Sequence, residues 1–374
     1  MLAFRTLAPD DSRRQDVPVN QSSAMGRMMD SSRVVTVFGA YGHTGRFVAA
    51  ELRERGLLPL LAGRDQEKLR ELAGSHPGSD LRAASVDDPA SLDRALQDSV
   101  AVINCAGPFA ETAAPVIDAA LRAEIPYVDV AAEIEASLDT FANFGDRARA
   151  ARTVVLPAMA FFGGLGDLLA TAAMGDWKAA DEVHVAYGLS SWHPTAGTRA
   201  AGQVSARRRG GRRVRYTGGR LEYHDDEPSR LDWPFPAPLG TRPVLAGFTM
   251  ADVVTIPHHL SVPEVRTYMS TEAAQDVAAA QPQAPAPVDE RGRSAQTFLV
   301  DVIVRSGGLE RRAVASGQDI YAFTAPLAVE AVQRILTGQT KTVGVASAGA
   351  LFDAPDFLRT LAVAGLGLSY PASR

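Results

Sequence analysis

From Val34 to about Val155 short apolar runs alternate with stretches of helical spacing, and the alternation predicts a repeated strand–helix grammar. Val34-Val35-Thr36-Val37-Phe38 is apolar almost throughout, as a strand covered on both faces must be. Phe47, Val48 and Leu52 then recur at helical spacing. Residues 58–62, 81–86, 99–103, 126–130 and 153–156 predict five further strands. Between them helices are expected over 65–72, from Asp88-Pro89 onward, over 112–123 and over 135–152. A proline in a first turn forfeits no hydrogen bond, which suits Pro89. Such alternation calls for a doubly wound parallel sheet with right-handed crossovers and helices on both faces.

After Pro157 the pattern changes. Residues 165–173 predict a helix, followed by strands over 182–189, 213–216, 220–223, 252–256, 265–269 and 297–305. Gly210-Gly211, Gly218-Gly219 and Gly307-Gly308 supply the turn chemistry of antiparallel hairpins. Residues 281–293, rich in Pro, Ala and charge, predict a loop. A last helix is expected over 325–336, with Pro326 in its first turn and Gly338 just past its end. This half is therefore α+β, on a largely antiparallel sheet.

Glycines stand where the first strand turns into its helix: Gly39-Ala40-Tyr41-Gly42-His43-Thr44-Gly45. A tight turn and a close approach of backbone to a pyrophosphate both exclude a Cβ, and the N–H groups opening the next helix favour phosphate. A glycine-rich turn without a ligand is the competing explanation, and the strand-to-helix setting argues against it. The loop is thus a dinucleotide site, with Tyr41, His43 and Thr44 beside its three glycines. Its Gly-x-x-Gly-x-x-Gly spacing points to NADP. The second strand agrees, because it ends Ala62-Gly63-Arg64 where NAD sites place an acid. A guanidinium at Arg64 can hold a 2′-phosphate, and Lys68 adds a charge one turn later. Asp65 suits the N-cap of the following helix. Asp87 closes the third strand near the expected adenine edge, where a capping role is equally open. The fourth strand ends Asn104-Cys105-Ala106-Gly107-Pro108-Phe109, whose small residues let a cofactor cross the sheet and whose Pro108 and Phe109 can wall a nicotinamide. No cation neighbours Cys105 in sequence, so it is expected to pack and not to react.

These blocks resemble the saccharopine dehydrogenase/reductase-like family of NAD(P)-dependent oxidoreductases. The likeness rests on residues 37–46, 61–64, 103–109 and 127–133, and later on Gly197-Thr198, residues 254–260 and Thr324-Ala325-Pro326. It implies an α/β fold: a Rossmann-type sheet, an inserted α+β substrate domain and a C-terminal segment returning to the first domain. In residue numbers that is a disordered tail over 1–31, the NADP-binding domain over 32–157, the substrate domain over 158–323 and the returning segment over 324–374. It further implies hydride transfer to a C=N bond, or to a C=C bond of a carrier-tethered lipid or polyketide intermediate. The family's usual Gly-Glu ending of the fifth-strand block is here Ala132-Glu133, and the arginines that hold substrate carboxylates in amino-acid-type relatives have no clear counterparts.

Composition adds boundaries. The chain has 374 residues, 46% of them apolar and 22% charged, with a formal charge of −5, so nothing global favours nucleic acid or an anionic membrane. A single cysteine forbids an internal disulfide and suits a reducing, cytoplasmic setting. No stretch approaches the roughly 18–20 apolar residues of a membrane span. Arg207-Arg208-Arg209-Gly210-Gly211-Arg212-Arg213 is basic but poor in aromatics, and is expected as a solvated hairpin turn or a lip steering an acidic substrate. A homodimer is compatible with all of this.

Candidate chemistry is sparse. No tyrosine is followed four residues later by lysine, and His-Glu-x-x-His, paired cysteines and Gly-x-Ser-x-Gly are absent. Hydride transfer asks mainly for positioning, although reduction of an imine or carbonyl gains from a proton donor. Asp129 and His193 are the catalytic candidates. Glu133, Trp192, Thr198 and His259 are expected around the substrate, with capping carboxylates and a turn packed by imidazoles as the competing explanations. The sparse acid–base chemistry keeps a second class open, a non-catalytic Rossmann protein that binds NADP to regulate a partner.

Overall fold

The computed structural model describes residues 33–363 and 365–370, and the expected tail over 1–31 lies outside them. The first half runs β1 (Val34–Phe38), α1 (His43–Glu54), β2 (Leu58–Gly63), α2 (Gln66–Ser75), β3 (Leu81–Ala83), α3 (Pro89–Leu96), β4 (Ala101–Asn104), α4 (Phe109–Arg122), β5 (Tyr127–Asp129), α5 (Ile134–Ala150) and β6 (Val154–Leu156). The second half continues through α6 (Gly166–Met174), β7 (Glu182–Leu189), α7 (Ala196–Arg208), β8 (Arg213–Thr217), β9 (Arg220–His224), β10 (Arg230–Pro234) and β11 (Thr241–Ala246). Then come α8 (Asp252–Thr255), β12 (Val265–Ser270), α9 (Thr271–Ala278), β13 (Thr297–Ser306), β14 (Leu309–Gln318) and α10 (Ile320–Leu336). The chain ends with β15 (Gly344–Val345), α11 (Ala348–Leu351), α12 (Ala354–Val363) and β16 (Gly367–Ser369).

β15-β6-β5-β4-β1-β2-β3 form a seven-stranded, wholly parallel sheet. The order reverses between β1 and β4, and a doubly wound sheet binds its ligand at that switch point, outside the carboxyl ends of its strands. Both faces are covered. Val48, Ala49 and Leu52 of α1 and Leu69 of α2 pack on one side, while Leu92 of α3, Ile117 of α4 and Ala148 of α5 pack on the other. Local chemistry sets the helix starts: Asp65 accepts from the Glu67 and Lys68 amides, and Asp88 accepts from Ser91 ahead of Pro89.

The second sheet is ordered β10-β11-β12-β7-β13-β14-β16, with the β8–β9 hairpin attached to β12. Its pairs are antiparallel apart from β12 with β7. Several expectations are corrected here. Residues 252–256 are helical at α8 and not a strand; Val253, Val254 and Ile256 are buried all round, and such a short apolar run carries no period. α7 occupies a stretch for which no element was expected, so Arg207 and Arg208 sit in its last turn, where cations suit the helix dipole, and not in a hairpin turn. α10 begins at Ile320, five residues earlier than expected, because the Asp319 carboxylate caps the Tyr321 and Ala322 amides and Pro326 is accommodated inside the helix. The terminal segment does not return to the first sheet alone: β15 extends that sheet, whereas β16 pairs with β14 in the second.

Candidate cofactor and substrate site

The loop after β1 is shaped by what a side chain would strike. Gly39 has φ +84°, and a Cβ there would lie 2.7 Å from the Ala106 backbone nitrogen. A Cβ on Gly45 would come within 2.9 Å of the Ala40 carbonyl, so the loop and the start of α1 interlock through bare backbone. Gly39 N–H donates to Ala62 O at 2.8 Å and Cys105 N–H donates to Phe38 O at 2.7 Å, which ties the loop to both neighbouring strands. The result is a cradle at the amide end of α1 lined by Gly42, His43 and Thr44. His43 Nε2 is buried without a partner among the described residues, and its ring meets Phe47 and Tyr321 edge-on at 5.4 and 5.3 Å. Burial lowers the pKa of this imidazole, so a neutral ring faces the cradle.

Arg64 is exposed at the end of β2 and makes no ion pair among the described residues. Beside it the Tyr41 ring lies so close to Gly63 that a Cβ there would stand 2.7 Å from it, and Lys68 Nζ is 5.8 Å from the ring centre. Lys68 also pairs with Asp65 at 3.3 Å, which dilutes its charge. Asp87 is exposed and receives only the Ser85 hydroxyl at 3.4 Å; the cap of α3 is its neighbour Asp88.

The β4 and β5 loops are fixed from beneath. Asn104 is fully buried, donates to Tyr127 Oη at 3.1 Å and accepts from the Ala106 amide at 3.0 Å. Asp129 is 1% exposed and accepts from the Ala131 and Ala158 amides at 3.0 and 2.8 Å and from Tyr127 Oη at 2.9 Å. Burial lifts its pKa to about 6 against those three donors. With its oxygens occupied below the surface, Asp129 does not reach the site and is corrected from a catalytic candidate to the anchor of two loops. Burial and the Asp129 charge also push the Cys105 thiol far up, so it stays protonated. Glu133 accepts from the Phe109 amide at 2.7 Å and the Ala110 amide at 3.1 Å, capping α4 from the next crossover. Burial still raises its pKa to about 7.

From the phosphate cradle a cavity of about 430 Å³ opens between the two sheets. Gly42, His43, Thr44, Cys105, Gly107 and Glu133 form its mouth on the first domain. Its body is apolar, walled by Phe109, Ile134, Phe162, Trp192, Met250 and Val277. Of the second-half candidates Trp192 and Thr198 line it, while the His193 side chain does not. His259 is also corrected: it bonds the fully buried Asp167 at 2.7 Å, away from the cavity. Gly166 makes a close approach to the Asp252 carboxylate, which the Tyr187 hydroxyl holds. The basic run is mostly engaged, with Arg208 on Asp139, Arg209 on Glu135, Arg212 over Tyr223 and Arg215 on Glu222. Besides apolar wall residues such as Ile134, Phe162 and Met250, which sequence did not single out, Arg209 and Tyr321 were missed as cavity residues. Arg209 was placed in a turn, and Tyr321 was placed ahead of a helix it belongs to; Asp319 as an N-cap was the available signal.

Residues 35–156 match the sequence model of the saccharopine dehydrogenase NADP binding domain. That stretch belongs to this domain family. A probable mitochondrial saccharopine dehydrogenase-like oxidoreductase of Arabidopsis thaliana is 30% identical over 142 residues, 34% of this chain and 31% of its own. A saccharopine dehydrogenase-like oxidoreductase of Bos taurus is 32% identical over 119 residues, 26% of this chain and 27% of its own. The matches thus span about a third or less of the curated relatives' length. The apo saccharopine dehydrogenase (L-Glu forming) of Saccharomyces cerevisiae covers 91% of this chain and 100% of its own with a TM-score of 0.63 at 12% identity, a likeness of fold. NADP is the cofactor of the domain, and the residues present fit it: a cradle only glycine permits, an orphaned His43 nitrogen and a free Arg64. No helix among the described residues is long and apolar enough to cross a membrane.

Proposed function

We propose that the protein is an NADPH-dependent reductase acting on an activated C=N or C=C bond of a small or carrier-tethered metabolite with an apolar body. The carrying observation is the single cavity that joins the phosphate cradle at Gly42–Thr44 to walls of Phe109, Phe162, Trp192 and Met250. A regulatory dinucleotide binder has no need of an apolar chamber of this size beside the strand ends where a nicotinamide comes to rest. When bound, NADPH supplies the hydride. The chain's own part is to exclude water with the aromatic wall, to orient the acceptor, and to hold the β4 and β5 loops in place through Asn104 and Asp129. Its largely apolar lining, in which Arg209 is already paired with Glu135, supports enoyl or aryl-imine acceptors over dicarboxylic amino acids. A cytoplasmic setting belongs to the same reading, supported by the single cysteine. The test is NADPH oxidation by the purified full chain against imine, enoyl-thioester and carbonyl acceptors of graded chain length. Turnover rising with apolar length supports the reading; tight NADPH binding without oxidation by any acceptor replaces it with the regulatory one.

A further inference from the structure

One polar constellation stands out on the largely apolar wall, apart from Glu133, Ser205 and Arg209. Tyr321 opens α10, and its hydroxyl oxygen receives Trp192 Nε1–H at 3.2 Å and the Thr195 amide at 3.3 Å. Thr198 Oγ1 lies 3.1 Å from the same oxygen, and the His193 carbonyl lies 3.5 Å away. Thr198 Oγ1 continues to Thr195 Oγ1 at 3.0 Å, so a short hydroxyl relay leads from the phenol. Tyr321, Trp192, Thr195 and Thr198 all line the cavity. The Tyr321 ring also meets the His43 ring at 5.3 Å, which places the phenol beside the phosphate loop.

A tyrosine that only packs needs one partner for its O–H. Here the oxygen accepts from two N–H groups, the Trp192 indole and the amide of Thr195, the N-cap of the 13-residue α7. Both features favour an oxygen that carries negative charge. In the resting protein burial keeps the phenol neutral, while the hydrogen bonds from Thr198, Trp192 and Thr195 pull its pKa the other way. The residue four places on is Ala325, so no lysine stands one helical turn away to do this by charge.

We propose that Tyr321 is the catalytic proton donor of the reduction, with Trp192, Thr195 and Thr198 holding the phenolate it leaves. The inference rests on the reductase reading above. In the step, a new C–H bond takes the hydride and its electron pair, and NADPH is oxidised to NADP. The π pair of the acceptor C=X moves onto X, which forms a bond to the proton released by Tyr321 Oη. The phenolate regains a proton from solvent by way of the Thr198 and Thr195 hydroxyls. Atoms and charge balance, and nothing further is required.

The experiment compares wild type with Tyr321→Phe and Thr198→Val in NADPH fluorescence titrations and in turnover with the best acceptor. Loss of a positioned general acid lowers kcat by about 10²–10⁴-fold, and Tyr321→Phe is expected in that range. NADPH affinity should stay within about twofold, because the interaction is made only in the transition state. Thr198→Val keeps the phenol but removes one phenolate partner, and should lower kcat by about tenfold. The wild-type solvent deuterium effect on kcat should vanish in Tyr321→Phe. Wild-type turnover by Tyr321→Phe overturns the proposal while leaving the reductase reading intact. NADPH affinity falling in step with turnover overturns it in favour of a cofactor contact. A wild-type chain inert toward every acceptor removes the reductase reading and this proposal together.

Discussion

We assign cofactor choice to one exposed side chain, and Arg64→Asp tests the assignment directly. Arg64 is surface-exposed and makes no ion pair among the described residues, so its guanidinium is free for the 2′-phosphate without first breaking a contact. A hydrogen bond to a charged group contributes about 1.5–3 kcal/mol, and exposure and salt screening argue for the lower end. Losing it alone weakens NADPH about tenfold at 1.4 kcal/mol per decade. A carboxylate in its place adds like-charge repulsion of about 1 kcal/mol at roughly 4 Å in a water-like dielectric. The same carboxylate can accept the two ribose hydroxyls of NADH, for about 1 kcal/mol more. The sum, about 3–4 kcal/mol, is a swing of about 10²–10³-fold in the NADPH-to-NADH affinity ratio. Lys68 cannot rescue this fully, because it is 60% exposed and shared with Asp65 at 3.3 Å. Fluorescence titration of both reduced cofactors at two salt concentrations reads the ratio, and the wild-type preference should shrink as salt rises. An unchanged ratio in Arg64→Asp would refute the assignment, and so would a preference indifferent to salt.

Three further outcomes follow from the same geometry. Gly45→Ala forces a Cβ to within 2.9 Å of the Ala40 carbonyl, backbone against backbone, so the loop must open. We expect about 1–3 kcal/mol lost from stability and at least tenfold from NADPH affinity, read by melting and titration. Glu133 has its pKa raised to about 7, first by burial, from an ordinary 4.5. Its contribution is therefore fully present below pH ~4.5 and is lost as pH rises through about 7, a change of about 3 kcal/mol at 1.36 kcal/mol per unit. Denaturant melts of Glu133→Gln across that window should lack this slope; a slope identical to wild type sinks the assignment. Burial lowers the pKa of His259, but the Asp167 charge and hydrogen bond override it and the net shift is upward. The pair thus stabilises below pH ~6.5 and fades as pH rises through the raised value. His259→Ala strands the fully buried Asp167 and should cost about 3–5 kcal/mol near neutrality, falling in alkaline melts toward about 1.5–3 kcal/mol, the contribution of the remaining hydrogen bond.

What the sequence disclosed tracks how strongly each element depends on its own residues. β1 and α1 were legible because their glycines answer to backbone geometry, and Gly39 and Gly45 permit no substitute. Asp65 and Asp88 cap helices by local hydrogen bonds, so a carboxylate before a helical pattern sufficed for the one and placed the other within a residue. α7 was invisible because Ser205 is its only buried residue, and a helix without a buried stripe has no period to find. β10 and β14 take their place from pairing with distant strands and carry no period-two signal of their own. Trp192 and Thr198 were legible as chemistry but not as a pair, since only the fold brings Tyr321 between them. Asp129 looked catalytic for a sound reason, its place at a strand end; two of its donors, Tyr127 and Ala131, are local, and only the fold brings the third, Ala158.

The placement of α10 explains why one site can serve two domains. Its N-terminus is pinned to the second sheet's side by Asp319, which also accepts the Ser294 amide at 2.6 Å. One turn on, Thr324 Oγ1 accepts from the Phe161 amide at 3.2 Å, joining the helix to the segment that enters α6. Farther along, Glu330 and Gln333 receive Arg55 at 2.5 and 3.0 Å, and Arg55 closes α1, the helix that begins in the phosphate cradle. Arg334 backs Glu330 at 2.6 Å and is 6% exposed, so the pairing is neither loose nor solvated. Two rigid helices bonded along their flanks cannot shift independently, and the Tyr321 hydroxyl and the amides at the start of α1 lie on those two helices. The distance between the phosphate loop and the polar cluster in the cavity is therefore set by helix packing and not by loop conformation. A hydride and a proton delivered to one acceptor require that kind of fixed separation.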